Sequence, residues 1–122
     1  MRIKKQNSRT LKFLIRDSEG TTITNLSSAV EILFMLKQEP LDTDEEAKIV
    51  KRMTLGGVLV DNPEVGYLRV PLTSVDTNIP VFNYYCAVQI QWSATNIQEI
   101  EISDNGVLVT QLEIYQDIIR GT

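Results

Sequence analysis

The most regular pattern in this chain is an alternation of apolar and more polar positions over residues 82–92. The apolar positions are Phe82, Tyr84, Cys86, Val88, Ile90 and Trp92. A period of two is that of a β-strand with one buried face, whereas a helix repeats about every 3.6 residues. This segment therefore predicts a long strand.

The same alternation recurs in shorter segments, at residues 11–15, 30–37 and 67–72 and from 100 onward. Turn-forming residues separate these segments, and the turn at 103–106 contains Asn-Gly, a pair that favours a β-hairpin. Short strands with frequent turns predict an all-β sandwich or barrel, and 122 residues are enough for one domain with its own core.

The residues at 73–76, Thr-Ser-Val-Asp, match a capping box. In this motif the first and last side chains each accept a hydrogen bond from the other residue's amide. A single helical turn is therefore predicted before Pro80.

Composition limits the chemistry that the chain can perform. It has no histidine and one cysteine, Cys86. The lack of histidine removes Ser-His-Asp and Cys-His catalysis and most zinc sites, and one cysteine cannot form an internal disulfide. No apolar run approaches the roughly 20 residues that cross a bilayer. We expect no enzymatic activity, no catalytic residue, no cofactor, no metal and no membrane contact.

Charge is distributed unevenly around a formal net charge of −4. The basic residues before the first acid are Arg2, Lys4, Lys5, Arg9, Lys12 and Arg16. The remainder is acidic and a poor ligand for phosphates, so no nucleic-acid partner is expected. Residues 1–8 are predicted to form a basic N-terminal arm, either solvated or docked on an acidic neighbour such as a second copy of the chain.

The densest acidic cluster lies at residues 42–46. Read as an EF-hand loop, it places Ala47 where glycine is needed and Met53 where glutamate is needed, so no calcium loop is predicted. A solvated loop is the ordinary interpretation, and contact with the basic arm of a neighbour is the alternative.

The strand predicted at 30–37 is apolar on both faces, because Leu33 and Met35 lie opposite its main apolar face. Such a strand is either covered on both sides or exposed at an interface. We expect Leu33 and Met35 to form a subunit interface, so that changing both to lysine lowers the oligomeric mass. Coverage by residues 38–57 is the alternative.

Two aromatic residues, Tyr67 and Tyr85, are predicted to face outward and are candidates for surface contacts. Tyr84 and Trp92 fall on the apolar face and are expected to fill the core, with their polar groups bonded near an edge. Cys86 shares that face and is expected to be a reduced core residue.

Several short motifs follow one another along residues 9–120. They are Asp17-Ser18-Glu19-Gly20, Gly66-Tyr67-Leu68-Arg69-Val70, Leu72-Thr73-Ser74-Val75-Asp76-Thr77, Tyr84-Tyr85 and Asp117-Ile118-Ile119-Arg120. Their order resembles the immunoglobulin-like N-terminal module of phage baseplate upper proteins and related tail-fibre and head-fibre modules. The resemblance implies an immunoglobulin-like antiparallel β-sandwich of about seven to nine strands, in a single domain over residues 9–122.

The function implied by the resemblance is that of a structural component of a phage virion, in the tail, baseplate, fibre or head. Its expected partners are other virion proteins and further copies of itself, and its expected location is the virion, assembled in the host cytoplasm. Ile118 and Ile119 join Arg2, Lys4 and Lys5 as interface candidates at the two ends of the chain. A carbohydrate- or host-surface-binding module, acting through the outward tyrosines, is the alternative.

Overall fold

The computed structural model describes residues 1–16, 23, 26–39, 41–62, 66–104 and 107–116. The strands in these residues are β1 (Arg2–Lys4), β2 (Arg9–Arg16), β3 (Glu31–Lys37), β4 (Ile49–Arg52), β5 (Leu59–Asn62), β6 (Tyr67–Leu72), β7 (Phe82–Gln91), β8 (Ile97–Asp104), β9 (Val107–Val109) and β10 (Gln111–Tyr115). Single 3₁₀ turns lie at Leu26–Ser28, Asp44–Glu46 and Met53–Leu55. Within these residues, no helix has the length and apolar character needed to cross a membrane.

The strands form two curled sheets that share β8. Sheet A has the order β4-β3-β7-β10-β1, and sheet B has the order β9-β8-β2-β6-β5. The first half of β8, residues 97–100, pairs with β7, and its second half pairs with β2 and β9. The predicted all-β sandwich is therefore confirmed, with β8 passing from one sheet to the other.

The core lies between the sheets and is built from the inward residues of both. Phe13 of β2 and Phe34 of β3 stack across the gap with ring centroids 5.9 Å apart. Tyr84, Val88 and Ile90 of β7 are buried, as the alternation over 82–92 predicted. Because inward residues alternate with outward ones along each strand, the same periodicity fixes which side chains reach the outer surface.

Local predictions agree with the structure at several places. β6 and β7 reproduce the predicted strands, and β8 and β9 pair on either side of residues 105–106, as the predicted hairpin requires. The capping box is present, since the Thr73 amide donates to Asp76 Oδ2 at 2.7 Å and the Asp76 amide donates to Thr73 Oγ1 at 3.2 Å. The Thr77 amide donates to the Thr73 carbonyl and closes one helical turn.

The N-terminal residues belong to the sheet, so the prediction of an arm over residues 1–8 is wrong. β1 runs parallel to β10, with the Glu113 amide donating to the Met1 carbonyl and the Lys5 amide donating to the Tyr115 carbonyl. Ile3 is buried in the core. The described residues hold ten strands rather than the expected seven to nine, and β1 is one of those not predicted.

Candidate interaction surface

The outer face of sheet A near β4 carries the two residues that were predicted to form an interface. Leu33 and Met35 are 3% and 1% exposed, so the expectation that they are open to a partner is wrong. Parts of the segment 38–57 pack beside this face, since β4 pairs with the edge of β3 and the Met53–Leu55 turn contacts β3. Coverage by this segment, the alternative interpretation, accounts for both buried side chains.

The covering segment leaves an open groove of about 420 Å³ above Leu33 and Met35. Its remaining lining residues are Glu45, Ala47, Val50, Arg52 and Leu55. Val50 is 40% exposed and Leu55 is 80% exposed. The groove therefore has a buried apolar floor, two exposed apolar side chains and a charged residue of each sign among its walls.

A buried carboxylate holds the turn that carries Leu55. Glu31 of β3 is 8% exposed, and its Oε1 accepts the amides of Ile32 and Thr54, both at 3.0 Å. The Thr54 hydroxyl donates to Glu31 Oε2 at 2.5 Å. Burial acts to raise the pKa of the Glu31 carboxyl, but these hydrogen bonds outweigh it and lower the pKa below its usual value.

The end of the turn is shaped by two glycines. Gly56 has φ +77°, a left-handed conformation that favours glycine, and its amide donates to the Met53 carbonyl. A Cβ on Gly57 would lie 3.1 Å from the Arg52 amide nitrogen and 3.1 Å from Lys51 Cβ. This backbone packs closely against β4, and its position determines where the Leu55 side chain projects from the surface.

An acidic cleft of about 570 Å³ adjoins the groove and shares Glu45 and Ala47 with it. The other residues that line it are Gln38, Glu39, Asp42, Glu46, Lys48 and Phe82. Among the described residues, no group of acidic or cysteine side chains is placed to hold a metal ion. The cleft is therefore an acidic surface beside an apolar one.

Hydrogen bonds fix the shape of the acidic loop, which contains the acidic cluster at residues 42–46. Glu46 Oε1 accepts from the Thr43 amide at 3.1 Å and from the Thr43 hydroxyl at 3.0 Å. These bonds lower the pKa of the Glu46 carboxyl. Asp42 Oδ2 accepts a hydrogen bond from the Glu39 amide at 3.1 Å. The Glu39 and Glu45 side chains are exposed at the surface of the loop.

The basic residues of β1 lie at the opposite edge of sheet A. Arg2 Nε is 2.7 Å from Glu113 Oε1, and the Arg2 guanidinium carbon lies 4.0 Å from the centre of the Tyr115 ring. Arg2 is exposed, whereas Lys4 and Lys5 are half-buried. β1 thus presents Arg2 and Lys4, and Lys5 follows it with its amide bonded to the Tyr115 carbonyl of β10.

The outward tyrosines do not form one platform. Tyr67 is 44% exposed on the outer face of sheet B, and Tyr85 is half-buried on the outer face of sheet A. Tyr84 and Trp92 behave as predicted, since the Tyr84 hydroxyl donates to the Pro80 carbonyl at 2.6 Å and Trp92 Nε1 donates to a glutamine side chain. Tyr67 and Tyr85 therefore lie on different sheets.

Two further candidates, Ile118 and Ile119, lie outside the described residues. Sequence reasoning missed Glu31 because it stands among outward positions, where a glutamate is ordinary. It also missed Leu55, an isolated apolar residue without a periodic pattern around it. Only the fold places these residues beside Leu33 and Met35.

Comparison with known proteins gives no further assignment: no family model, curated protein or solved structure matches this chain.

Proposed function

We propose that this chain is a non-enzymatic β-sandwich that acts through protein–protein contacts, as a structural component of a phage virion. In this role the sandwich is a rigid support, and the surfaces it presents join neighbouring subunits. The partners are other virion proteins and further copies of the chain.

The proposal rests on the exposed apolar side chains around the groove of sheet A. Leu55 is 80% exposed, and Leu41 of the adjoining loop is 96% exposed. Contiguous apolar surface rimmed by charge is typical of a protein interface, whereas single exposed apolar residues are common on any surface. Here Val50 and Leu55 line the same groove, so the two exposed apolar side chains belong to one surface feature and are not scattered singly.

The virion part of the proposal rests on the motif order. The Gly66–Val70 motif leads into β6, the Leu72–Thr77 motif forms the capped turn, and Tyr84-Tyr85 lies in β7. The resemblance to the phage modules implies a β-sandwich that carries these motifs in this order. An immunoglobulin-like arrangement of the strands is part of the same proposal.

Purified particles test this function. We expect quantitative mass spectrometry of gradient-purified phage particles to find the chain in a fixed ratio to the major structural proteins. We also expect Val50→Lys with Leu55→Lys to lower that ratio at least tenfold, because two ammonium groups would be desolvated at the contact.

The matched control is Tyr67→Lys, which changes an exposed aromatic residue on the other sheet. Incorporation should be unchanged in this variant. Circular dichroism should show that all three substitutions leave the fold intact, since each replaces an exposed or half-exposed side chain. Absence of the wild-type chain from washed particles would overturn the virion proposal.

A further inference from the structure

The two edges of sheet A differ in charge and run in opposite directions. β1 is one edge and β4 is the other, and in the described part of the chain neither pairs with a further strand. β1 is parallel to β10, and each of the next three steps across the sheet to β4 is antiparallel. β1 therefore runs antiparallel to β4, so that a copy shifted sideways along the sheet would meet its neighbour in antiparallel orientation.

The basic and acidic edges lie at the same level of the sheet. Ile3 is in register with Ile114, and Ile114 is in register with Phe82 of β7. Phe82 also lines the acidic cleft, which is formed by the segments that follow β3 and precede β4. One row across the sheet thus runs from the basic edge to the acidic cleft.

The side chains at the two edges are complementary in charge. The cleft presents Glu39 and Glu45, and the β1 edge presents Lys5 together with Arg2, whose guanidinium is paired with Glu113. Arg9 adds a third cation at this edge, because its Nη1 donates to the Arg2 carbonyl at 2.9 Å. Opposite charges on two surfaces of one molecule favour a head-to-tail contact between copies.

The contact is made by side chains and not by an added strand. Met1 and Lys5 direct their backbone groups to β10, so the carbonyls of Arg2 and Lys4 point away from the sheet. The Arg2 carbonyl accepts a hydrogen bond from Arg9 Nη1, and the Lys4 carbonyl accepts one from the Asn7 amide at 3.0 Å. These bonds protect the β1 edge against backbone pairing.

We infer that copies of this chain associate head to tail, with the β1 edge of one copy seated on the groove and acidic cleft beside β4 of the next. The aliphatic part of Arg2 and the Tyr115 ring beneath it contact Val50 and Leu55, while Lys5 and Arg9 face the cleft. Arginine and lysine stems cover apolar surface while their charged ends stay in water. This inference rests on the proposed function and names one of its partners as a second copy.

A contact of this type joins different surfaces of the two copies. It generates a closed ring where the rotation between copies closes and a linear array where it does not. An edge contact buries less than the roughly 1,200 Å² of a stable complex, so each contact is weak and is strengthened by repetition. Salt screens the charges at this contact and weakens it, so raising NaCl from about 50 mM to about 500 mM should lower the association constant about tenfold or more.

The experiment is a charge exchange between the two edges, read by sedimentation velocity over a concentration series at low salt. One variant carries Glu39→Lys with Glu45→Lys, which spares the loop bonds of Asp42 and Glu46. The other carries Lys5→Glu with Arg9→Glu. We expect each variant alone to associate at least tenfold more weakly than the wild type, and an equimolar mixture of the two to regain association.

The control variants are Glu99→Lys on β8 and Lys12→Glu on β2, which change charge at exposed positions away from both edges. These should associate like the wild type. A wild-type chain that stays monomeric at low salt, reversed variants that associate normally, or a mixture that fails to recover would each overturn the inference. Such a result leaves the particle experiment unaffected, because the chain can enter a virion through other proteins alone.

Discussion

The rings of Phe13 and Phe34 stack between the two sheets, with centroids 5.9 Å apart and planes inclined by 20°. Phe13 lies on β2 of sheet B and Phe34 on β3 of sheet A, and both are fully buried. On the opposite face of β3, Leu33 and Met35 form the floor of the candidate surface. The stacking of these rings therefore fixes the strand that supports the groove.

We expect the two phenylalanines to be energetically coupled. Phe13→Leu and Phe34→Leu should each lower the free energy of unfolding, and the double variant should show a coupling energy of about 0.5–1.5 kcal/mol. Urea denaturation of the four proteins measures this cycle. Val75→Ala, at an exposed position, should change stability by less than about 0.5 kcal/mol, and strictly additive effects of the two core changes would contradict a direct ring–ring interaction.

The buried carboxylate of Glu31 predicts a dependence of stability on pH. Its pKa is lower in the folded chain than in the unfolded chain, so between the two values the unfolded state binds more protons. The contribution of ionised Glu31 is present above its ordinary pKa and is lost as pH falls through the lowered value. We expect wild-type stability to fall more steeply than that of Glu31→Gln as the pH decreases below about 4.5.

Other carboxylates titrate in the same range, so the measured quantity is the difference between the two stability curves from urea denaturation. Thr54→Val removes a donor to Glu31 while leaving its charge and should reduce the steepness. The same variant should also loosen the turn that carries Leu55, which amide hydrogen exchange detects. Parallel wild-type and Glu31→Gln curves at low pH would show that Glu31 has no shifted titration.

The parts of the fold that follow from local periodicity were predictable, and the surface was not. The alternation over 82–92 and 67–72 sufficed for β7 and β6, because one buried face leaves a period of two in the sequence. β1 was missed because three residues, Arg-Ile-Lys, are too few to show a period, and the strand is stabilised by β10 from the far end of the chain.

The same reason explains the error at Leu33 and Met35. A strand apolar on both faces indicates that something covers it, but the sequence does not say whether the cover is another molecule or a distant part of the chain. The answer depends on β4 and on the Glu31–Thr54 hydrogen bonds, which join residues 23 positions apart. The acidic cleft likewise acquires its position only when the loop is placed beside Phe82.

An ion pair links the β4 edge to the capped turn on the other side of the core. Lys51 Nζ is 2.8 Å from Asp76 Oδ2, and both side chains are about four-fifths buried. Burial acts to raise the pKa of Asp76, but Lys51 and Thr73 outweigh it and lower the pKa below its ordinary value. We expect Asp76→Asn to lower the free energy of unfolding by about 0.5–2 kcal/mol, the usual cost of weakening a cap.

Urea denaturation of Asp76→Asn, Lys51→Met and the double variant separates the cap from the ion pair. The coupling between the two charges should be less than about 1 kcal/mol, because the cost of desolvating two largely buried ions offsets most of their attraction. Thr73→Ser keeps the capping hydroxyl and should remain close to the wild type. A loss in Lys51→Met larger than that in Asp76→Asn would contradict the assignment of most of this stability to the cap.

The thiol of Cys86 should be nearly inert in the folded protein. Cys86 is half-buried against the core, in register with the fully buried Leu36, and burial raises the pKa of its thiol to about 12. Because the thiolate is the nucleophile, we expect iodoacetamide at pH 8 to alkylate the folded chain at least about 100-fold more slowly than the urea-unfolded chain. Mass spectrometry of the modified protein over time measures both rates.

The alkylation rates should also differ in their pH dependence. Between about pH 8 and pH 10 the rate for the folded chain should keep rising about tenfold per pH unit, while the rate for the unfolded chain levels off near the ordinary thiol pKa. Equal rates in the two states would mean that the inner face of β7 opens to solvent at Cys86, contrary to the packing of β7 against β3.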